Sequence, residues 1–371
     1  MPGPYIKSRR GLVSFEWTSP VRMAVFGLGG LLIFATAVPI VRAEEWWIRV
    51  FDFPRLQIAV LLALALAAFL LVYRPTRILD SVFLLALAAS LGYQAYRIFP
   101  YTPLATPQVA GSKPCEVSSR VRLLVANVLI DNRRADDLLG QIRAHDPDLI
   151  LALETDAWWD GQLAELEGDY PFAVKHPLSN AYGMHLFSRL ELGAPEVRFL
   201  VEDDVPSVRT AVRLRSGDWI DFYGVHPRPP MPQQDTEERD AEILIVGKEV
   251  KANTRPAIVA GDLNDVAWSH TTRLFQSISG TLDPRVGRGM FNTFHAKYPF
   301  LRWPLDHVFH EDSFTLGAMM RLGFFGSDHF PILAELCYEP KAEQRQEAPA
   351  ADQGDREEAE EKIEDGTAAG D

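Results

Sequence analysis

Short apolar runs separated by polar residues dominate the C-terminal two-thirds of the chain. They are rich in β-branched residues and are bounded by Gly, Pro or Asp. Runs of this kind predict strands that are buried on both faces, as in a sandwich covered by helices. The six clearest examples read RVRLLVAN, DLILALE, WIDFYGVH, PAIVAGDLN, LDHVF and SDHFPILAEL.

Helical periodicity lies between several of these runs and predicts a β/α alternation. The apolar spacing over residues 135–142 predicts a first helix, which Pro147 stops. A second helix is predicted from Trp158 to Leu166. A third is predicted from about Asp235 to Ala252, because Asp235 followed by Glu238 resembles a capping box.

Three long hydrophobic segments precede this alternation. They run from Val21 to Val41, from Leu56 to Tyr73 and from Ile78 to Phe99. Each is close to the roughly 20 residues that cross the apolar core of a bilayer. We therefore predict that residues 1–100 form a membrane domain with three transmembrane helices.

Basic residues predict how these helices are oriented. They precede the first segment and fill the turn between the second and third, at Lys7, Arg9, Arg10, Arg22, Arg74 and Arg77. The positive-inside rule places both groups in the cytoplasm. The third segment then leaves on the opposite side, which predicts a multi-pass protein of the cell membrane with an extracytoplasmic globular domain. A cleaved signal peptide over residues 1–43 is the alternative, and it leaves the remaining topology unchanged.

Composition divides the rest of the chain into three parts. Residues 101–119 are rich in Pro, Ser and Thr and predict a linker, and residues 120–338 contain the β/α alternation and predict a single globular domain. Residues 339–371 are highly charged without apolar periodicity, which predicts a disordered acidic tail. Cys115 and Cys337 are the two cysteines. A disulfide between them and two separate buried thiols are both open interpretations.

Charge limits the class of partner. Residues 1–100 carry a net charge of +5 and residues 339–371 carry −8, which leaves −10 for residues 101–338 out of a total of −13. Proteins that bind nucleic acid draw most of their affinity from Lys and Arg contacts to phosphates. A nucleic-acid partner is therefore less favoured, whereas the three hydrophobic segments favour a lipid bilayer. The sequence indicates no protein partner.

Polar residues with catalytic chemistry stand at the ends of the six apolar runs. Four runs end with such a residue, and two begin with one. If neighbouring strands are antiparallel, the end of one strand and the start of the next lie at the same sheet edge. The side chains expected to meet there are Asn127, Glu154, His226, Asp262, Asn264, Asp306, Asp328 and His329.

The order of these residues along the chain resembles the endonuclease/exonuclease/phosphatase superfamily over residues 120–338. The shared pattern is a strand-ending Asn, then a Glu, a His, a GDxN motif, an Asp-His pair and SDH before the last strand. The resemblance implies a four-layered α/β sandwich, in which two mainly antiparallel sheets are flanked by helices. It also implies phosphoester hydrolysis with Mg²⁺, or with Mn²⁺ in its place.

The resemblance further implies roles for residues that bind metal and activate water. Glu154 would be the main metal ligand, because Mg²⁺ prefers oxygen donors. Asn127 would hold the metal or a phosphate oxygen, and Asp328 would act on the metal side. Asp262 would orient or deprotonate the attacking water, and Asn264 would donate a hydrogen bond to the phosphoryl oxygens.

Two histidines complete the implied site. His329 matches the catalytic histidine of the family, and Asp306 matches its usual partner, although spacing leaves open which carboxylate faces the ring. His226 matches a second histidine that contacts the phosphate or protonates the leaving group, and Arg228 lies nearby as a substrate-binding candidate. The stretch that supplies a carboxylate to this second histidine in deoxyribonuclease-like members offers Asn180 and Tyr182 here. Among the other histidines, His307 is the further candidate because it adjoins Asp306.

These observations predict a membrane-anchored, metal-dependent hydrolase that acts on a lipid phosphate or pyrophosphate outside the cytoplasm. Three helices before such a domain resemble the membrane-anchored members linked to glycopeptide resistance, which act on undecaprenyl pyrophosphate. A tether raises the effective concentration of an active site over a bilayer-confined substrate. The alternatives are an extracytoplasmic metal-dependent nuclease, a phospholipase C-type phosphodiesterase and a binding module that has lost catalysis.

Overall fold

The computed structural model describes residues 20–72, 78–112, 115–232 and 234–370, and the structural statements below concern those residues. Five of the basic residues that predict orientation lie outside the described residues, namely Lys7, Arg9, Arg10, Arg74 and Arg77.

The N-terminal region is helical. It comprises α1 (Pro20–Ala37), the short α2 (Trp46–Arg49), α3 (Arg55–Val72) and α4 (Ile78–Ile98). Two helices are long and apolar enough to cross a membrane, at Met23–Ile40 and Ile78–Tyr101. A third candidate is the bent pair Trp46–Asp52 and Arg55–Leu71, whose parts meet at 70°. The three predicted segments are thus helices, of which two or three can span a bilayer by length and composition.

The helices α1, α3 and α4 pack against one another. Leu32, Leu62 and Leu87 form part of their shared core. A buried polar contact also joins them, because Gln94 Nε2 lies 3.0 Å from Thr36 Oγ1. Helix α1 therefore packs as a member of this three-helix bundle. In the alternative interpretation, cleavage of a signal peptide over residues 1–43 would remove α1 from it.

Eleven strands form two sheets in the described part of the chain. They are β1 (Arg120–Asn127), β2 (Leu149–Leu153), β3 (Phe172–His176), β4 (Met184–Ser188), β5 (Glu191–Phe199), β6 (Pro206–Arg213), β7 (Trp219–Val225), β8 (Ala257–Asp262), β9 (Asp306–His310), β10 (Phe314–Arg321) and β11 (Ile332–Tyr338). The strand orders are β10-β11-β1-β2-β4-β3 and β5-β6-β7-β8-β9.

Helices cover the outer face of each sheet. They are α5 (Ala135–His145), α6 (Ala157–Leu163), α7 (Glu237–Ala252), α8 (His270–Ser279) and α9 (Gln353–Gly370). A core cluster that includes Leu151 and Phe222 fills the space between the sheets. Trp159 belongs to the cluster under α5 and α6, and Phe275 belongs to the cluster under α7 and α8. The four-layered α/β sandwich is therefore confirmed.

Parallel pairs at the centre of each sheet bring the chemistry-bearing strand ends together. β1 runs parallel to β2, and β7 runs parallel to β8. Parallel neighbours end at the same sheet edge, and the antiparallel strands β11 and β9 begin there. The expected convergence therefore occurs, but two of the strand pairs that produce it are parallel.

The predicted helices differ from the observed ones at their ends. α5 ends at His145, before Asp146 in the left-handed conformation with φ 46°. α6 is shorter than predicted and continues as a 3-10 helix over Ala164–Gly168. The predicted capping box at α7 is wrong. The cap position is Thr236, and Asp235 Oδ1 instead accepts a hydrogen bond from Trp46 N at 2.9 Å.

The segment predicted as a linker packs along the catalytic domain. Ser112 N donates to Leu316 O at 2.9 Å, and Leu316 N donates to Ala110 O at 3.0 Å, so the segment extends the edge at β10. Val109 is fully buried in the core between the sheets. The described part of this segment is therefore held in place and is not a free tether.

The prediction of a disordered tail is wrong for residues 353–370, which form α9 against α7. Ala359 is buried there, and a Cβ on Gly366 would lie 2.3 Å from the Glu237 carbonyl oxygen. Lys362 Nζ also lies 3.0 Å from Asp240 Oδ2. The contact between α9 and α7 is made by small residues and a buried ion pair. The sequence of α9 therefore lacks the apolar stripe that would have predicted a packed helix.

The structure answers the open question about the cysteines. Cys115 and Cys337 form a disulfide with a Cα–Cα distance of 5.9 Å. It joins the residues that lead into β1 to β11, the antiparallel neighbour of β1.

Candidate active site

Glu154, Asn127 and Asp262 connect the two sheets at the edge where the central strands end. Asn127 Nδ2 donates to Glu154 Oε1 at 2.7 Å and to Asp262 Oδ2 at 3.1 Å. Ile130 N donates to the other Glu154 oxygen at 3.2 Å. Burial raises the pKa of Glu154, and the contacts with His226 and Asn127 partly oppose that shift.

His329 lies between two carboxylates. Its Nδ1 is 2.7 Å from Asp306 Oδ2, and its Nε2 is 3.4 Å from Asp262 Oδ2. Burial alone would lower the pKa of His329, but the carboxylates of Asp306 and Asp262 raise it to about 10. The imidazole is therefore a cation at neutral pH, held in a fixed orientation.

The two carboxylates proposed as partners of His329 are now distinguished. Asp306 makes the hydrogen bond to the ring. Asp328 is half-buried, and its carbonyl oxygen accepts a hydrogen bond from Ala296 N at 2.6 Å. Ser327 fixes this turn, because its hydroxyl accepts from His329 N at 3.0 Å and donates to Asn127 O at 2.8 Å.

His226 directly follows β7 and lies beside Asp262. Its Nε2 lies 3.9 Å from Asp262 Oδ2, and its buried Nδ1 has no hydrogen-bond partner among the described residues. Burial lowers its pKa, so the ring is neutral at pH 7. The ring of Tyr182 lies 5.4 Å away, whereas Asn180 donates to Asp204 O at 3.0 Å. His226 therefore has an aromatic neighbour, and no described carboxylate binds its Nδ1.

Two site residues adopt left-handed backbone conformations. Glu154 has φ 62° and Asn264 has φ 50°. Asn264 is fixed by two hydrogen bonds, from its N to Asp262 Oδ1 at 2.9 Å and from its Nδ2 to Pro227 O at 2.9 Å. Residues with positive φ cluster at functional sites, where surrounding contacts offset the local strain.

Arg228 and His307 are placed differently from the central group. Arg228 forms ion pairs with Glu202 and Asp204, and its guanidinium lies 4.8 Å from the centre of the Tyr182 ring. His307 is buried, and its Nε2 lies 2.9 Å from the carbonyl oxygen of Asp265. His307 therefore supports the loop after Asp262, and the structure does not bring it to the active site.

The residues present fit a divalent cation on the Glu154 side. Glu154 and Asp262 supply carboxylate oxygens of the kind that Mg²⁺ prefers. Asn127 orients both carboxylates through its Nδ2, while its Oδ1 accepts a hydrogen bond from Leu129 N at 3.0 Å. No Lys or Arg that the structure describes pairs with Glu154, so a cation would compensate this buried carboxylate. Asp262, Asp306 and His329 also offer ligand atoms within 4.8 Å of one another. We favour the position beside Glu154 for the cation, because both ring nitrogens of His329 already face carboxylates.

The sequence pattern did not reveal a network behind Glu154. Thr155 Oγ1 lies 2.7 Å from His185 Nδ1, and His185 Nε2 lies 3.0 Å from Asp160 Oδ1. The His185 side chain is fully buried, and both of its ring nitrogens have polar partners. The alternation of MHLFS, which places His185 on a strand, was the available signal.

The four-layered fold and this group of residues define a class of hydrolases that act on phosphoester bonds. The family model described as the Endonuclease/Exonuclease/phosphatase family matches residues 124–329, which is more than half of the chain. The chain belongs to this family. Enzymes of the superfamily are generally dependent on divalent metals, in agreement with the oxygen ligands found here.

Solved structures agree with this assignment at the level of the fold. The humanized TDP2 of D. rerio is 16% identical, with 59% of this chain and 99% of that chain covered and a TM-score of 0.50. The human Nocturnin catalytic domain with bound sulfate is 16% identical, with 60% and 96% covered and a TM-score of 0.50. A Bacteroides vulgatus family member is 18% identical, with 59% and 99% covered and a TM-score of 0.50. No curated protein matches the chain at a significant level.

Proposed function

We propose that this chain is a membrane-anchored, divalent-metal-dependent hydrolase of a lipid phosphate or pyrophosphate on the extracytoplasmic side. The observation that carries the proposal is the attachment of the active-site loop to the ends of the hydrophobic helices. This loop, residues 263–269, directly follows Asp262.

Three hydrogen bonds make this attachment. Trp268 Nε1 donates to Asp52 O at 2.7 Å, between α2 and α3. The Tyr101 hydroxyl donates to Ala267 O, and Arg97 donates to Trp268 O, both from the end of α4. A site fastened to helix ends in this way is held close to the bilayer surface, where a lipid headgroup lies.

The proposed side of the membrane follows from the helix directions. Contacts with the catalytic domain come from the start of α3 and the end of α4, so the opposite ends of these helices lie about 27 Å away by the helical rise. The sequence between those opposite ends contains Arg74 and Arg77, which the positive-inside rule assigns to the cytoplasm. The disulfide also supports an oxidising compartment outside it.

The proposed chemistry is displacement at phosphorus by water. A divalent cation held by Glu154, whose carboxylate Asn127 orients, would polarise a phosphoryl oxygen. Asp262 accepts a proton from, or orients, the attacking water. The imidazolium of His329, positioned by Asp306, stabilises negative charge that develops on the phosphoryl group. His226 supplies a neutral hydrogen-bonding ring beside Asp262.

The experiment uses the full chain in nanodiscs, stripped of metal and then supplied with Mg²⁺ or Mn²⁺. Phosphate release is measured from polyprenyl pyrophosphate and inositol phosphates, headgroup release from phospholipids, and strand cleavage from single- and double-stranded DNA. We expect metal-dependent release from the polyprenyl pyrophosphate and a loss of at least about 100-fold in Glu154→Gln. Glu196→Gln, on the exposed strand β5, is the matched control.

Three results would contradict the proposal. The first is faster turnover of DNA than of any lipid, which would indicate a nuclease. The second is release of phosphorylated headgroups from phospholipids, which would indicate a phosphodiesterase of the phospholipase C type. The third is activity that persists without metal.

A further inference from the structure

Residues 291–303, in the connection between α8 and β9, form one wall of the active site, and we call them the entrance loop. The ring of Phe294 lies 5.0 Å from the ring of His329. Backbone hydrogen bonds join the same region, from Ala296 N to Asp328 O at 2.6 Å and from Phe330 N to Thr293 O at 3.0 Å. A change in the entrance loop would therefore alter the immediate surroundings of His329.

The tip of the entrance loop is apolar and exposed. The exposed fractions are 57% for Tyr298, 87% for Phe300 and 48% for Leu301. Phe300 is the most exposed aromatic residue in the described part of the catalytic domain. Clustered apolar side chains of this size usually mark a surface that another apolar phase covers.

The position of the tip identifies that phase. Gln57, in the first turn of α3, donates from Nε2 to Phe300 O at 2.8 Å. The ring of Phe53 packs edge-on against Trp303 with centroids 5.8 Å apart. The tip thus lies at the end of a helix whose outward side chains, such as Val60, are themselves apolar and exposed. The surface of the tip is continuous with the surface that a bilayer covers.

Two cationic groups lie at the base of the entrance loop, Arg302 within it and Arg321 at the end of the adjacent strand β10. The guanidinium of Arg302 lies 5.0 Å from the centre of the Phe330 ring, and that of Arg321 lies 4.4 Å from the same centre. Both donate to backbone carbonyls, at Ala296 and Asn292. Neither forms an ion pair with a carboxylate in the part of the chain that the structure describes.

Two such guanidinium groups are suited to an anion. Guanidinium groups bind phosphate through paired charge-assisted hydrogen bonds. The pair stands in a segment with a net charge of −10, and it flanks the residue next to His329. Burial lowers the pKa of Arg321, and the positive charge of Arg302 adds to the shift. A bound anion would offset the repulsion between the two groups.

We propose that the tip of the entrance loop inserts Tyr298, Phe300 and Leu301 into the bilayer interface, and that Arg302 and Arg321 bind the phosphate nearest the hydrocarbon chain of the substrate. The order of the groups matches an amphiphile with two phosphates. The hydrocarbon lies by the tip, one phosphate lies at the arginines, and the phosphate that is hydrolysed lies at His329. This inference rests on the proposed function and extends it to substrate entry.

Insertion is tested without reference to activity. A Phe300→Cys variant of the full chain, labelled with a fluorophore, is placed in nanodiscs that contain brominated phospholipids. We expect strong quenching at this position and little at a label introduced by Phe199→Cys, which lies on β5. An unquenched label at position 300 would overturn the insertion half of the inference.

Substrate entry is tested with two substrates, a polyprenyl pyrophosphate in nanodiscs and a water-soluble aryl phosphoester. For Phe300→Ser combined with Leu301→Ser, we expect the ratio of lipid to soluble turnover to fall about tenfold, by loss of apolar burial. For Arg302→Gln combined with Arg321→Gln, we expect the KM for the lipid to rise about tenfold or more, because charged hydrogen bonds are lost. Phe199→Ser is the matched control.

The two proposals fail in different ways. Unchanged ratios and KM values in both double variants, with a wild-type protein active on the lipid, overturn the entrance loop alone. A wild-type protein that cleaves the soluble ester but not the lipid overturns the proposed function.

Discussion

His329 shows at the level of single residues how the site is preorganised. A charged imidazole in a buried position is costly unless its charge is paired. Here each ring nitrogen faces a carboxylate, so the ring orientation and the charge are both fixed before any substrate binds. His329 and Asp306 therefore act as one unit, with Asp306 in the positioning role.

A double-mutant cycle tests this unit. We expect His329→Ala and Asp306→Ala each to lower kcat/KM on a soluble phosphoester by about 100-fold, the usual scale for acid–base and positioning groups. The two losses should overlap strongly in the double variant, because residues that act together are not additive. His145→Ala, at the end of α5, is the control. Losses that multiply to about 10⁴-fold would contradict the coupling.

The residue types of the site could be predicted from sequence, but their pairing could not. Asn, Glu, His and Asp at strand ends indicated which residues would converge. Whether Asp306 or Asp328 binds the His329 ring depends on a hydrogen bond between residues that are distant in sequence. The spacing of residues along the chain does not predict that bond. Arg228 shows the same limit, because its partners Glu202 and Asp204 lie on a separate connection between β5 and β6.

At the level of elements, α7 shows how a helix can be buried on most of its surface. The sheet lies on one side of it, and α8 and α9 pack beside it. Glu242 is buried in this setting, and its Oε1 has no hydrogen-bond partner among the described residues. Burial raises the pKa of Glu242 to about 8, the nearby charge of Glu202 adds to the shift, and Arg198 opposes it.

This shift predicts a dependence of stability on pH. Between the ordinary pKa of a glutamate in the unfolded chain and about 8, the folded state holds a proton that the unfolded state has lost. The stabilisation is therefore fully present at low pH and is lost as pH rises toward 8, with a slope of at most about 1.4 kcal/mol per pH unit. We expect Glu242→Gln to reduce this decline, measured by denaturant unfolding of the full chain in detergent from pH 5 to 9. A slope equal to that of the wild type would exclude a buried, protonated Glu242, and Glu196→Gln is the control.

Apolar periodicity predicted the central elements well and the peripheral ones poorly. The six strands that carry the site and the helix at 135–145 have strong patterns, because each buries one or both faces in a large core. α9 has no such pattern, because its contact with α7 uses Ala359, Gly366 and the ion pair of Lys362 with Asp240. The false capping box arose because Asp235 bonds to Trp46, which is distant in sequence.

At the level of the whole molecule, the catalytic domain is joined to the N-terminal helices at several separate points. Besides the attachment of the active-site loop, Lys362 of α9 pairs with Glu44, and Thr236 N donates to the carbonyl oxygen of Glu44 at 3.0 Å. Contacts of this kind join residues hundreds of positions apart, so the sequence alone did not predict them. These contacts pack the N-terminal helices and the catalytic domain together.

The disulfide between Cys115 and Cys337 adds a covalent link between distant parts of the chain. It joins residues 222 positions apart, and the closure of a long loop typically stabilises the folded state by about 2–4 kcal/mol. We expect reductant to lower the free energy of unfolding of the full chain in detergent by that amount. Cys115→Ser combined with Cys337→Ser should show the same loss and no further response to reductant. Maleimide labelling of both cysteines in the unreduced native protein would contradict this expectation.

The packing of residues 101–112 decides where the enzyme can be cut to obtain a water-soluble fragment. A fragment that begins at residue 120 would lack Val109 and leave a hole between the sheets. It would also lack Gln108, whose side-chain oxygen accepts a hydrogen bond from Asp283 N at 2.9 Å. A fragment intended for crystallisation should therefore begin before Tyr101. It would then keep residues 101–112, including the Tyr101 hydroxyl that donates to Ala267 O of the active-site loop.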